Sequence, residues 1–268
     1  SNYISDSEIS RFNRSEGAVS VSSSFRELLL LSEEVKNITQ GAFDVSIGPL
    51  VNLWGFGPKY ETEALPSESQ IEDLLEASGS SALKITRDFV YKDKETNLDF
   101  SGIAKGYAVD EIVETLEELG LANFFVEIGG EVKARGSNAR GKPWNIGIEV
   151  PDRNERKIFN TVPLRNLAMA TSGDYRNFFE LDGMFFSHII KPDNGYPIDN
   201  RVGSVTVLHQ SAALADALAT GLNALGFESL SKISNEKNLK VMAIIRKSGN
   251  YEVFSSEKYQ EYLTSHSK

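Results

Sequence analysis

Apolar positions along this chain follow two spacings, and the switches between them outline its elements. From about Ser24 to Gln40, Leu28, Leu31, Val35 and Ile38 recur at helical intervals, with serines ahead and Gly41 behind. A second helix is predicted from Pro66-Ser67 to near Gly79, followed by short extended runs at Leu83–Thr86, Phe89–Lys92 and Asn97–Phe100. A third starts around Gly102 and carries Tyr107, Ile112, Val113 and Leu116 to Gly120. Beyond it the pattern turns extended: Phe124–Ile128, Val132–Arg135, Trp144–Val150, a stretch around Leu167–Ala170, Phe185–Ile190 and Ser204–Leu208 read as strands between glycine or polar turns. A helix from Ser211 to Gly226 interrupts them, and Val241–Ile245 with Tyr251–Phe254 closes as a hairpin. Strands and helices alternate without a βαβ rhythm. This predicts an α+β fold with mixed, largely antiparallel sheets and packed helices, forming a single domain over residues 1–268.

Composition narrows the function classes. A chain of 268 residues with 40% hydrophobic content can bury a substantial core, as one large domain or two closely packed lobes. Its net charge of −10 provides no global field to attract a polyphosphate backbone, so no nucleic-acid partner is expected, although a small anion held by local groups is compatible. The longest leucine cluster, Leu28–Leu31, is short and flanked by charges, far from membrane-spanning length. There is no cysteine, which excludes disulfides and thiolate chemistry. Three histidines, His188, His209 and His266, argue against a multi-histidine metal centre. The chain opens at Ser1-Asn2-Tyr3 with no visible signal segment, and a targeting segment upstream is compatible with that start.

Five segments invite a chemical reading. Gly136–Lys142 has the spacing of a phosphate-binding loop, but Pro143 stands where a hydroxyl would hold magnesium, and strands flank it on both sides; a hairpin connection is the better reading. In the Ser211–Gly226 helix, Leu214, Leu218, Gly221, Leu222 and Leu225 share one face. The other face has no Lys or Glu, only Ala212, Ala213, Asp216, Ala219, Thr220 and Asn223. Asp216 and Thr220 lie four apart, so a carboxylate and a hydroxyl point at one spot among small side chains. Two hard oxygens suit Mg²⁺, which completes its shell with water and phosphate; a buried small-residue interface with one satisfied aspartate fits the same pattern. Asp99 to Asp110 enters a helix through Ser101, Gly102 and Ala104, offering unpaired N–H groups and the Lys105 cation to a nucleotide phosphate; an N-capped helix with a solvated lysine is the alternative. His188, before the Pro192–Gly195 turn, is a candidate general base or a structural histidine. Gly41–Leu50 and Trp54–Gly57 place glycines beside Phe43 and Trp54, where backbone can approach a flat ring or simply turn.

In this order, the segments resemble the ApbE family of FAD:protein FMN transferases. The resemblance rests on Tyr3–Asn13, Gly41–Asp44, Gly48–Gly57, Asp99–Asp110, Glu127–Glu131, Thr171–Tyr175, Ser187–Gly195 with Pro197, and Ala215–Gly221, blocks that span Tyr3 to about Gly226. It implies two intimately associated lobes with the FAD site between them. FAD is then the substrate and Mg²⁺ the cofactor; FMN is joined by a phosphoester to a threonine of a recipient protein, and AMP leaves. By position, Asp216, Thr220 and the Gly102 carbonyl fall on the metal ligands. Tyr3, Ala42, Phe43, Asp44, Asp99, Lys105 and Ile190 fall on FAD contacts, and His188 on the base for the acceptor hydroxyl. Thr171-Ser172-Gly173 borders the same cleft. Lys191 stands where many relatives have Asp, and Ala219 replaces an acid found beside the metal threonine in some. The family's N-terminal strand and any signal segment lie outside the chain. Family habit implies a recipient in a sodium-pumping quinone reductase or related redox complex. It also implies a site on the periplasmic side of the bacterial inner membrane, with the full-length protein lipid-anchored. FAD pyrophosphatase activity, with water as acceptor, and non-catalytic flavin binding are the competing expectations.

Overall fold

A computed structural model describes residues 1–58, 65–79, 83–93, 95–153, 155–175, 177–181, 183–199 and 201–266. The N-terminal part contains α1 (Glu8–Arg14), β1 (Gly17–Val19), α2 (Ser23–Ile38), α3 (Gly48–Leu53), α4 (Glu68–Gly79), β2 (Lys84–Ile85) and β3 (Val90–Lys92). Next come α5 (Ala104–Glu118), β4 (Phe124–Ile128), β5 (Glu131–Arg135), β6 (Trp144–Glu149), β7 (Ile158–Leu164), β8 (Leu167–Gly173), β9 (Phe178–Leu181) and β10 (Met184–Ser187). The chain ends with β11 (Val202–His209), α6 (Ala212–Leu225), α7 (Phe227–Glu236), β12 (Lys240–Lys247), β13 (Asn250–Ser255) and α8 (Glu257–His266).

The organising element is a six-stranded sheet in the order β13-β12-β11-β8-β5-β4, antiparallel at each pairing. Side chains alternate across it because successive strand residues point to opposite faces. Val205 and Val207 of β11, with Val241, Ala243 and Ile245 of β12, join the main core under α2, α6 and α7. Leu208, Met242 and Ile244 face the other way, against Ile148 of β6, Val162 and Leu164 of β7, and Tyr259 of α8. The middle strand β11 is thus buried on both sides, each large apolar side chain contributing roughly 1.5–3 kcal/mol. The mixed, largely antiparallel α+β architecture expected from the sequence is what the chain adopts.

Several elements depart from the sequence reading. The first long helix ends at Ile38, ahead of a turn with Gln40 and Gly41 at φ 54° and 90°. The Gly48–Leu53 segment, read as loop, is a short helix with proline in its first turn. The strand expected over Phe185–Ile190 stops at Ser187; Ile190 makes only an isolated bridge to Pro197. Of Asn97–Phe100, only Asn97 pairs, in a bridge to Ile47. Elements α1, β1, β7, β9, α7 and α8 were not anticipated at all. The Gly136–Lys142 segment connects β5 to β6, but not as the expected hairpin: β5 pairs with β4 and β8, and β6 pairs with β7 in a separate sheet, so the turn, with Gly136 and Gly141 at φ 60° and 72°, carries the chain from one sheet to the other.

Candidate functional site

Helix α6 is where fold and chemistry meet. Ser211 caps it, its hydroxyl accepting from the Leu214 N–H and donating to Asp110 of α5 at 2.8 Å. Asp110 also accepts from the Ala213 N–H at 3.0 Å and pairs with Lys133 of β5 at 2.6 Å, so one carboxylate ties α5, α6 and the sheet together. The helices approach so closely that a methyl group on Gly106 would lie 2.1 Å from the Ala212 carbonyl oxygen. Almost all of α6 is buried, which explains why its polar face carries no Lys or Glu.

Asp216, 3% exposed, points into the α5 start. Its Oδ2 accepts from the Gly106 N–H at 3.0 Å, and the Lys105 ammonium lies 3.3 Å from Oδ1. Burial raises the Asp216 pKa, opposed by Lys105 and the Gly106 hydrogen bond. Lys105 also donates to the Ser101 carbonyl at 3.3 Å and faces Glu131 at 3.6 Å. Burial disfavours its charge, yet the two carboxylates outweigh that and hold it protonated beyond its ordinary range. Glu131 itself is pushed up to about 7, first by burial and then by the Asp216 charge.

One turn beyond Asp216, the Thr220 hydroxyl donates to Ser172 at 3.4 Å. Gly102 presses against it: a Cβ there would meet the Phe43 ring at 3.1 Å and Thr220 Oγ1 at 3.5 Å. Phe43 is seated because Gly221 leaves it space; a Cβ on Gly221 would lie 2.8 Å from that of Phe43. Two similar turns flank this point. Asp44 accepts from the Ser46 N–H and hydroxyl at 2.8 and 2.7 Å, and pairs with Lys36 at 2.7 Å. Asp99 accepts from the Ser101 N–H at 2.7 Å and from its hydroxyl, while its own N–H bonds the Val45 carbonyl. Asn13 holds the approach to Asp99, bonding both N–H and C=O of Leu98 at 2.8 and 2.9 Å. Tyr3 is largely exposed, its hydroxyl donating to the Phe56 carbonyl at 3.0 Å.

His188 follows β10. Its Nδ1 lies 2.8 Å from the Asn177 carbonyl, which only accepts, so Nδ1 carries the proton and Nε2 keeps its lone pair. Burial, and secondarily the charge of Lys105, lower its pKa, so the imidazole is neutral near pH 7.

A single cavity of about 500 Å³ gathers these groups. Its wall includes Tyr3, Ala42, Phe43, Asp44 and Asp99 from the N-terminal loops, and Gly102 and Lys105 from the α5 start. His188 and Ile190 follow β10, and Asp216 and Thr220 come from α6. The structure thus brings the expected FAD contacts, metal ligands and base to one place, whereas Trp54 is buried in a separate apolar cluster with Leu50 and Ile71, stacked on Phe186. Thr171, Ser172 and Gly173 of β8 line it too. Glu127, Gly129, Gly130 and Glu131 form a further wall that the sequence reading left without a role. The signal was the glycine pair between two strands: Gly129 and Gly130 take φ 63° and 104°, and the turn they make presents Glu131 to Lys105.

The donor set suits a hard divalent cation: a buried carboxylate, a hydroxyl one turn away and the backbone at a glycine pressed against that hydroxyl. Among the described residues no cluster of three His, Cys, Asp or Glu side chains forms a metal site, so the fit rests on Asp216, Thr220 and the Gly102 carbonyl.

Comparison with known proteins places the chain in a family. An FAD:protein FMN transferase of Vibrio cholerae is 39% identical over 98% of this chain and 80% of its own length. One of Haemophilus influenzae is 40% identical over 97% and 78%. The solved flavin transferase ApbE from Vibrio cholerae superimposes with a TM-score of 0.90 at 38% identity, covering 98% of this chain and 85% of that one. The apo flavinyl transferase ApbE of Pseudomonas stutzeri gives 0.88 at 37%, covering 98% and 82%. The profile of the ApbE family matches residues 1–245, and this chain belongs to that family.

Proposed function

We propose that this protein is a Mg²⁺-dependent FAD:protein FMN transferase: it cleaves FAD and attaches FMN to a threonine hydroxyl of a recipient protein, releasing AMP. The observation that carries the reading is the cavity in which a neutral histidine, the Lys105 ammonium paired with Asp216, and the Thr220 hydroxyl one turn beyond Asp216 converge. The likeness to named FMN transferases over nearly the whole chain supports it.

His188 supplies the base. With Nδ1–H engaged by Asn177, Nε2 accepts the acceptor hydroxyl's proton as the oxygen bonds to the FMN phosphorus. The bond from that phosphorus to the bridging oxygen breaks, and AMP leaves with it. Lys105, at the first turn of α5, offsets charge on the phosphate oxygens. Phe43 and the glycines around it provide a flat apolar wall for a ring system. Asp216, Thr220 and the Gly102 carbonyl would hold Mg²⁺, which when bound polarises phosphate oxygens and neutralises developing charge. We place the recipient in a sodium-pumping quinone reductase or related redox complex. The full-length enzyme would be lipid-anchored on the periplasmic side of the inner membrane. Both assignments rest on the family resemblance.

The test is incubation with FAD, Mg²⁺ and a threonine-bearing recipient peptide. Stoichiometric AMP and a peptide heavier by the FMN moiety are expected. AMP with free FMN and an unmodified peptide would make water the acceptor, and intact FAD would refute the activity.

A further inference from the structure

Glu131 is the buried acid at this site that the mechanism leaves unused. It is 3% exposed, and its Oε2 has no hydrogen-bond partner at ordinary distance; the nearest cation is the Lys105 ammonium at 3.6 Å. A second carboxylate beside Asp216, facing a cavity meant for an anionic substrate, costs free energy and repels phosphate. Its position nevertheless has a consequence for Lys105. That side chain is 40% exposed, and its ammonium sits between Asp216 at 3.3 Å and Glu131 at 3.6 Å. Asp216 cannot serve both Lys105 and a divalent cation at full strength, because two cations on one carboxylate repel.

We infer that Glu131 is a positioning residue, a second seat that takes the Lys105 ammonium when a divalent cation occupies Asp216. The ammonium already lies within 3.6 Å of both carboxylates, so the exchange requires only a small swing of a flexible side chain. Lys105 stays at the cavity wall beside the metal, where both can face the pyrophosphate, and does not leave for solvent. This inference rests on the metal site proposed above. It assigns Glu131 a role through Lys105 and not through the substrate.

The test is Mn²⁺ binding to the protein without FAD, followed by electron paramagnetic resonance or calorimetry, on folded variants verified by circular dichroism. Glu131→Gln keeps the shape of the side chain but removes the second seat, so Lys105 stays on Asp216 and opposes the metal. The Mn²⁺ Kd should rise about tenfold, the scale expected for one close charge contact in a partly solvated site. Adding Lys105→Met to Glu131→Gln removes the competitor and should restore most of that affinity. Glu131→Asp should lie between wild type and Glu131→Gln. A Kd unchanged by Glu131→Gln, while Asp216→Asn abolishes binding, would overturn the inference and leave the metal site standing. A double variant no tighter than Glu131→Gln alone would overturn it equally, since a direct ligand or a structural role gives that result. Equal, weak binding by wild type and Asp216→Asn would defeat the metal site and this inference together.

Discussion

Replacing Gly106 by alanine tests how tightly the fold and the site are joined. The added methyl would lie 2.1 Å from the Ala212 carbonyl oxygen and 2.8 Å from the Ala213 nitrogen, both backbone atoms at the start of α6. A carbon–oxygen contact needs about 3.3 Å or more, so α5 and α6 must part by roughly 1 Å. Three hydrogen bonds cross this line: Gly106 N–H to Asp216 at 3.0 Å, Ser211 hydroxyl to Asp110 at 2.8 Å and Ala213 N–H to Asp110 at 3.0 Å. All three end on carboxylates, where each bond is worth about 1.5–3 kcal/mol, and the displacement stretches them without abolishing them. Partial loss of three such bonds with the overpacking strain amounts to about 3–5 kcal/mol. At about 2–4 °C per kcal/mol for a chain of this size, Tm should fall by roughly 6–20 °C. Thermal unfolding followed by circular dichroism measures this directly. A Tm within about 2 °C of wild type would refute the reasoning, because helices that separate without cost cannot be holding Asp216.

Three further outcomes follow from the site. His188→Ala should lower kcat for transfer to threonine by about 10²–10⁴ while the FAD Kd, read by flavin fluorescence, stays within about threefold; equal losses in both would make His188 a binding residue. The His188 pKa is lowered by burial and by Lys105, so the neutral base persists below the ordinary imidazole value of about 6.5 and is lost as pH falls through the lowered value. The acid limb of the kcat profile should therefore have its midpoint below that value, and a midpoint above it would remove His188 as the titrating base. Asp216→Asn should weaken FAD binding in Mg²⁺ but leave it as tight as wild type, or tighter, in EDTA; calorimetry showing the same loss in both would contradict a metal-ligating role.

The sequence carried the fold class and the site to different depths. Helices α5 and α6 were legible because their apolar positions repeat over several turns and because small residues replaced the charges of a solvated face. Helix α7 was not: after the Gly226 break, only Leu230 and Ile233 of its sequence are buried apolar side chains, too few to define a period. Strand β7 contains Pro163, which lacks an N–H for a central ladder, and accordingly it pairs with β6 alone, where an edge tolerates proline. Helix α3 is short, and Gly48 and Pro49 at its start read as turn signals. In the site, Asp216 and Thr220 were visible from their spacing on one helix. The Lys105–Asp216 ion pair joins residues 111 positions apart, and no local pattern records it. Glu131 was noted only within the Glu127–Glu131 block and given no role, for a related reason: its place beside Lys105 depends on the Gly129–Gly130 turn that aims it.

The local charge balance shows what the proposed function asks of an acidic protein that takes an anionic dinucleotide, and why a divalent cation is part of that proposal. Asp216 and Glu131 place two acids around one ammonium, so in the absence of metal the inner wall has no positive charge to spare for a pyrophosphate. The helix start and the Lys105 cation, which the sequence suggested as a phosphate site on their own, are neutralised by their neighbours. A cation on Asp216 and Thr220, as proposed, would shift that balance: it would occupy one acid and leave Lys105 paired with Glu131 alone at the cavity wall, where its charge is no longer shared between two acids. Metal and lysine are thus not independent contributors to phosphate recognition. Their effects should be strongly non-additive, because each determines whether the other's charge faces the acids or the substrate.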